Sequence, residues 1–117
     1  MGNTVKEKSY KFALRIIKAY QYLQKEKNEY VLSKQLLRCG TSIGALVAES
    51  ENAQSKADFI NKLNIALKEA NETQYWLSLM KDSEIIDVKT YDSIFADCSE
   101  IVALLVAIIK TSKKKDD

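Results

Sequence analysis

The chain has no histidine and no proline, and only three glycines and two cysteines among its 117 residues. Without histidine, imidazole acid–base catalysis is excluded, as are most zinc and di-iron sites, which draw ligands from that residue. Without proline, and with glycine so scarce, an all-β or loop-rich fold lacks its turn residues. Long apolar runs are missing too. The longest, residues 101–109, spans nine residues between Glu100 and Lys110. A membrane-spanning helix needs about 20, so this run reads as the buried face of a helix. The start, MGNTVKEKSY, has no apolar signal-peptide core, and cytoplasmic residence without membrane attachment is the default expectation. Glycine-rich phosphate loops, Ser/His/Asp arrangements and CxxC pairs are all missing. The expectation is therefore a non-enzyme with no cofactor and no metal.

What remains is rich in helix signals. Val5, Phe12, Ile16, Tyr20 and Leu23 recur at helical spacing and predict a first helix over about 4–25. Ser33 is a candidate N-cap for a second helix reaching Ala53, with Leu36, Cys39, Ile43, Leu46, Val47 and Ser50 facing the core. Ser55, with Asp58 three residues on, opens a third helix that continues to Asp82. Asp87 is the expected N-cap of a fourth, whose inner face holds Tyr91, Ile94, Phe95, Cys98, Ile101, Val102, Leu105 and Ile109. Both cysteines fall on core-facing positions and read as small buried hydrophobes, with no disulfide expected. Short connections force neighbouring helices antiparallel, so the fold class is all-α, an up-down-up-down antiparallel four-helix bundle. Residues 1–112 read as one domain, and 113–117 as a charged tail expected to be disordered.

Gly40, Gly44 and Ala48 form a line of small residues on the second helix. Each glycine costs about 1 kcal/mol against alanine inside a helix, so the pair needs a reason. Close approach of a neighbouring helix is one, with Ala66 and Ala70 on the third helix as counterparts. A ligand approaching the bare backbone is the other. A second line, Arg38, Ser42, Ala45 and Glu49, lies away from the core.

Two surfaces stand out beyond the core. On the third helix Ile65, Trp76 and Leu79 interleave with Glu69 and Glu72 away from the core face. On the first, Tyr10, Leu14 and Ile17 lie off the core face. A monomer does not leave tryptophan beside isoleucine and leucine in water, so Arg38, Ser42, Glu49, Ile65, Glu69, Glu72, Trp76 and Leu79 are the candidate oligomer interface. Deep burial of a central helix would produce the same arc. Glu69 and Glu72, with Arg38 or Lys68 as partner, read as an inter-helix or inter-protomer ion pair.

Net charge is only +2, but residues 1–38 carry nine basic against three acidic groups and residues 39–117 nine against thirteen. The excess is concentrated in Lys8, Lys11, Arg15, Lys18, Tyr22 and Lys25, spaced 3, 4, 3, 4 and 3 along the first helix. That is a stripe about 25 Å long. A duplex presents a phosphate per strand every ~3.4 Å, so the stripe can engage several, and Tyr22 can stack on an unpaired base. No acidic residue of the same helix interrupts it, although lysine-rich solvated faces are common.

The segments LSKQLLRCGTSIGALVAES (32–50) and DFINKLNIALKEANETQYWLSLM (58–80) carry a family resemblance. Their TSIGA-x-x-AE and IALKEA-x-ET-x-YWL motifs resemble four-helix-bundle proteins encoded in ribosomal-RNA intervening sequences. The match runs over nearly the whole chain. Its second-helix residues are Arg38, Ser42, Ile43, Gly44, Ala48 and Glu49; those of the third are Ala66, Leu67, Glu69, Glu72, Trp76 and Leu77. The resemblance implies a ring-shaped homopentamer. Relatives include accessory proteins of diversity-generating retroelements, which implies RNA or DNA and a reverse transcriptase as partners. A protein-interaction adaptor and a purely structural assembly are the other readings. Two departures are visible: Leu46 stands where many members carry asparagine, and the proline many show before the second helix is missing from KEKNEY.

Overall fold

Four helices account for nearly all of residues 3–114, which the computed structural model describes. They are α1 (Asn3–Lys27), α2 (Leu32–Ser50), α3 (Lys56–Asp82) and α4 (Val88–Lys114). Connections of four to five residues reverse the chain each time, giving the up-down-up-down antiparallel bundle. Packing is extensive between α1 and α2, α2 and α3, and α3 and α4, and sparsest between α1 and α4. Lys113 and Lys114, expected in the tail, form the last turn of α4; residues 115–117 lie outside the described residues.

The core follows from periodicity. Val5, Phe12, Ile16 and Leu23 on α1 meet Leu36, Ile43 and Val47 on α2, Leu63, Ala66, Ala70, Leu77 and Met80 on α3, and Ile94, Ile101, Leu105 and Ile109 on α4. Burying each large aliphatic side chain contributes about 1.5–3 kcal/mol. Leu46, Tyr20, Tyr91, Phe95 and Val102, read from the sequence as core-facing, are only half-buried. Cys39 and Cys98 are buried and free. The Cys98 thiol donates to the Ala70 carbonyl at 3.4 Å, and burial pushes its pKa up to about 12. Burial raises that of Cys39 as well. Thiols so protonated are poor nucleophiles.

Helix ends show where local chemistry decided. Ser55 Oγ accepts from the Asp58 N–H at 3.0 Å, and the Asp58 carboxylate accepts from the Gln54 N–H, an offset capping box. Asp87 caps α4 as expected, accepting from the Thr90 N–H at 2.7 Å. The start of α2 differs from expectation. Ser33 is not its N-cap but a buried residue of its first turn, with its hydroxyl donating to the Glu29 carbonyl. The cap is the Glu29 carboxylate, which accepts from the N–H groups of Val31, Leu32 and Ser33 at 3.1, 3.0 and 2.6 Å. One carboxylate thus satisfies three donors that the helix leaves orphaned, and its charge faces the positive end of the helix dipole.

The glycines of α2 serve helix packing, against α1 rather than α3. A Cβ on Gly40 would fall 2.8 and 2.9 Å from Cγ1 and Cγ2 of Ile16, and one on Gly44 3.1 Å from the Ser9 carbonyl oxygen. Small residues on one helix receive the bulk of the other. Ala66 and Ala70 are simply core residues of α3.

Candidate functional site

The basic stripe divides in two once α4 is in place. Lys8 pairs with Glu100 at 3.0 Å, and Arg15 with Asp97 at 2.7 Å; the same Arg15 guanidinium donates to Ser93 Oγ. Register explains the set, because an antiparallel α4 brings Glu100 beside Lys8 and the Ser93–Asp97 turn beside Arg15. Lys11, Lys18, Tyr22 and Lys25 remain exposed, and among the described residues they make no ion pair or side-chain hydrogen bond. The uninterrupted six-residue stripe is therefore corrected to four positions, spaced 7, 4 and 3. Sequence reading missed the acids because they lie on another helix. Their spacing, Ser93, Asp97 and Glu100 at 4 and 3, was the available signal that one face of α4 is polar.

The second candidate surface runs along α2 and α3. Arg38 sits between Glu69, at 3.2 Å, and Glu72, each reached by one guanidinium nitrogen. The acidic pair thus belongs to an inter-helix contact within one chain. Glu72 also accepts from the Trp76 indole N–H at 3.1 Å. That hydrogen bond, with the Arg38 charge, outweighs desolvation and holds the Glu72 carboxyl below its ordinary range. The same electrostatics stabilise the Arg38 cation against the opposing effect of desolvation.

Helical spacing places Ile65, Glu69, Glu72, Trp76 and Leu79 in one line on the α2 side of α3. Arg38, Ser42 and Glu49 form the facing line on α2, and the Ser42 hydroxyl donates to the Arg38 carbonyl. The fold brings Arg38, Glu69, Glu72 and Trp76 together, and helical spacing continues the α2 line through Ser42 and Glu49 and the α3 line through Ile65 and Leu79. Trp76 is half-buried, set edge-on to Tyr75 with ring centroids 5.2 Å apart, and packs partly on the core. Leu79 lies one turn beyond it and Ile65 three turns before it on the same line, exposed to 38% and 37%, and Tyr75 is exposed to 59%. A second apolar face lies on α1, where Tyr10, Leu14 and Ile17 are exposed. The apolar residues of these two faces sit on α3 and α1, which are diagonal in the packing order of the bundle.

Among the described residues, no group of three or more His, Cys, Asp or Glu side chains is arranged to hold a metal ion. No helix there is long and apolar enough to cross a membrane.

Comparison with known proteins agrees with this architecture. A crystal structure described as a protein with unknown function from the S23 ribosomal protein family, from Bacteroides thetaiotaomicron VPI-5482, is 59% identical to this chain. The match has a TM-score of 0.92 and covers 92% of this chain and 96% of the other. No curated protein matches. The model of the 23S rRNA-intervening sequence protein family matches residues 2–107. This chain belongs to that family, the 23S rRNA-intervening sequence proteins.

Proposed function

We propose that this chain is a non-enzymatic bundle protein that assembles with copies of itself into a closed ring and associates with nucleic acid through α1. The observation that carries the second part is the exposed line Lys11, Lys18, Tyr22 and Lys25, whose cations have no ion pair among the described residues. Lysines unengaged within the fold are free to release counterions from a phosphate backbone. The family's description makes structured RNA the first ligand to test.

Support for assembly comes from the two apolar faces. A ring joins different faces of neighbouring protomers, and the apolar residues of α3 and those of α1, two helices that do not pack on each other, are two such surfaces. The number five comes from the family resemblance alone. Light scattering is the test. An oligomer is expected, and Ile65→Asp with Leu79→Asp is expected to reduce it to monomers that remain helical. A monomeric wild-type chain at tens of micromolar refutes the ring. For nucleic acid the test is binding to structured RNA across a salt series. Affinity must fall linearly on logarithmic axes and be lost on reversing Lys11, Lys18 and Lys25 to Glu. Binding to an acidic protein surface through the same lysines is the adaptor reading, and affinity for such a surface with none for RNA selects it.

A further inference from the structure

One end of the bundle is open. Between the second half of α1 and the start of α4, the two helices that pack least, lies a cleft of about 820 Å³. Its apolar walls include Ala19, Leu23, Leu36, Leu77, Met80 and Ile94. Leu23, Leu36, Leu77 and Met80 are core residues with almost no exposure, so they form the closed floor of the cleft, and its accessible apolar wall comes from the half-buried Ala19, Ile85 and Ile86. Both lips are helix ends stopped in a defined way. At the end of α3, Glu84 adopts φ 63°, with the Ile85 N–H donating to the Met80 carbonyl at 2.8 Å and the Glu84 N–H to that of Lys81 at 3.0 Å, a Schellman stop. This stop folds the α3–α4 connection over the cleft, and Ile85 and Ile86 become part of its lining. At the end of α1, Asn28 adopts φ 53° and the Glu29 N–H turns back to the Leu23 carbonyl. Hydrogen-bonded lips of this kind leave the opening in place without a ligand.

Charge at the rim is predominantly positive. Arg15, Lys18, Lys27 and Lys81 line it, against Glu84 and Asp87. Arg15 is held by Asp97 and Ser93, and Lys81 sits over the Tyr91 ring, 4.3 Å from its centroid, and beside Asp82. Asp87 is committed to the Thr90 N–H. Lys27 lies close enough to Asp87 to stabilise its carboxylate, but neither Lys27 nor Lys18 has an ion pair or side-chain hydrogen bond among the described residues. The cleft thus combines a core-lined interior with unengaged ammonium groups at its mouth.

We infer that this cleft binds a single-chain amphiphile, its hydrocarbon tail between Ala19, Ile85 and Ile86 above the floor that includes Met80, and its anionic head at Lys18 and Lys27. The volume lies within the range of small-molecule sites, about 300–1,000 Å³, and the division into apolar body and a few charged groups is that of a ligand pocket. An anionic head fits because Lys18 and Lys27 are the rim cations without an ion pair among the described residues, Arg15 and Lys81 being paired with Asp97 and Asp82. The site is separable from the nucleic-acid reading, because Lys11 and Lys25 do not line the cleft and Ala19 and Met80 are not in the stripe.

Met80 supplies a reporter that needs no substitution. The chain has two methionines; Met80 lines the cleft, and Met1 lies outside the described residues. With methyl-labelled methionine in the intact wild-type chain, decanoate is expected to shift the Met80 resonance saturably, one ligand per chain, and to leave Met1 unmoved. Decanol is expected to bind about tenfold more weakly, the share of one ionic contact, and decyltrimethylammonium not at all. Lys18→Glu with Lys27→Glu should weaken decanoate about tenfold and leave decanol unchanged. Ala19→Trp, checked for helicity, should remove binding by filling the cleft, while Lys11→Glu with Lys25→Glu should not. A Met80 signal indifferent to decanoate overturns the proposal, and so does equal affinity for decanol. A Met80 shift that instead follows protein concentration alone also overturns it, since the cleft would then receive a second copy of the chain.

Discussion

Ile16 occupies the space that a side chain on Gly40 would need: a Cβ there would lie 2.8 Å from Ile16 Cγ1 and 2.9 Å from Cγ2. Ile16 is fully buried and branched at Cβ, so those atoms have no easy way to move. Gly40→Ala sets a helix-propensity gain of about 1 kcal/mol against overpacking of about 1–3 kcal/mol. A net loss of about 1 kcal/mol is expected in urea unfolding. Ile16→Ala alone should cost about 2–5 kcal/mol. In that background Gly40→Ala should become stabilising by about 1 kcal/mol, because only the propensity remains. Equal effects in both backgrounds would show that Ile16 is not what the glycine accommodates.

The Glu29 cap makes the start of α2 pH-dependent. Desolvation pushes the Glu29 carboxyl up, but the N–H groups of Leu32, Ser33 and Val31 outweigh it and leave the group below its ordinary value. A depressed folded-state value means the stabilisation is present above the unfolded pKa and is lost as pH falls through the folded one. Glu29→Ala should therefore cost about 1 kcal/mol near neutrality and progressively less in acid. Urea midpoints of variant and wild type that fail to converge in acid would place the cap elsewhere.

Trp76 depresses Glu72 through its indole N–H, with Arg38 adding its charge. Glu72 is only partly shielded from water, so the energy at stake is under about 1 kcal/mol. Trp76→Phe keeps the ring and removes the donor. In that variant the Glu72 carboxyl should titrate at higher pH by NMR, and the acid-side loss of stability should shrink. An unmoved Glu72 titration would mean that Arg38 alone holds the carboxylate.

Asp97 and Glu100 limit the nucleic-acid surface by neutralising Arg15 and Lys8. Asp97→Asn with Glu100→Gln should return both cations to solvent. RNA affinity should rise, and the salt slope should steepen by about one to two units on logarithmic axes. Melting temperature should change little, since exposed pairs contribute at most about 1 kcal/mol. An unchanged slope would exclude Lys8 and Arg15 from the binding face.

The architecture was legible because helical periodicity and the scarcity of turn residues both point to four helices, and Ser55 and Asp87 mark two starts by ordinary capping chemistry. What escaped depended on contacts between distant segments. Gly40 was matched with the small residues Ala66 and Ala70, yet its partner is the bulky Ile16, because a hole on one helix receives a knob from another. Ser33 looked like the cap, but Glu29 reaches past it to three N–H groups, a geometry that spacing alone does not reveal. The stripe on α1 looked continuous because its counter-charges sit far along the chain on α4. Of the candidate interface, spacing placed the α2 residues in one line and the α3 residues in another, and helix register joins the two through the Arg38 clasp on Glu69 and Glu72.

The most direct measurement is the RNA affinity of the intact wild-type chain and of Lys11→Glu/Lys18→Glu/Lys25→Glu over a series of salt concentrations. Three engaged lysines per chain predict a logarithmic slope for wild type of about −2 on single strands and −3 on duplex. The reversed variant, still helical and of unchanged oligomer size, should show no salt-sensitive binding. Retention of wild-type affinity and slope by that variant would contradict nucleic-acid association through α1.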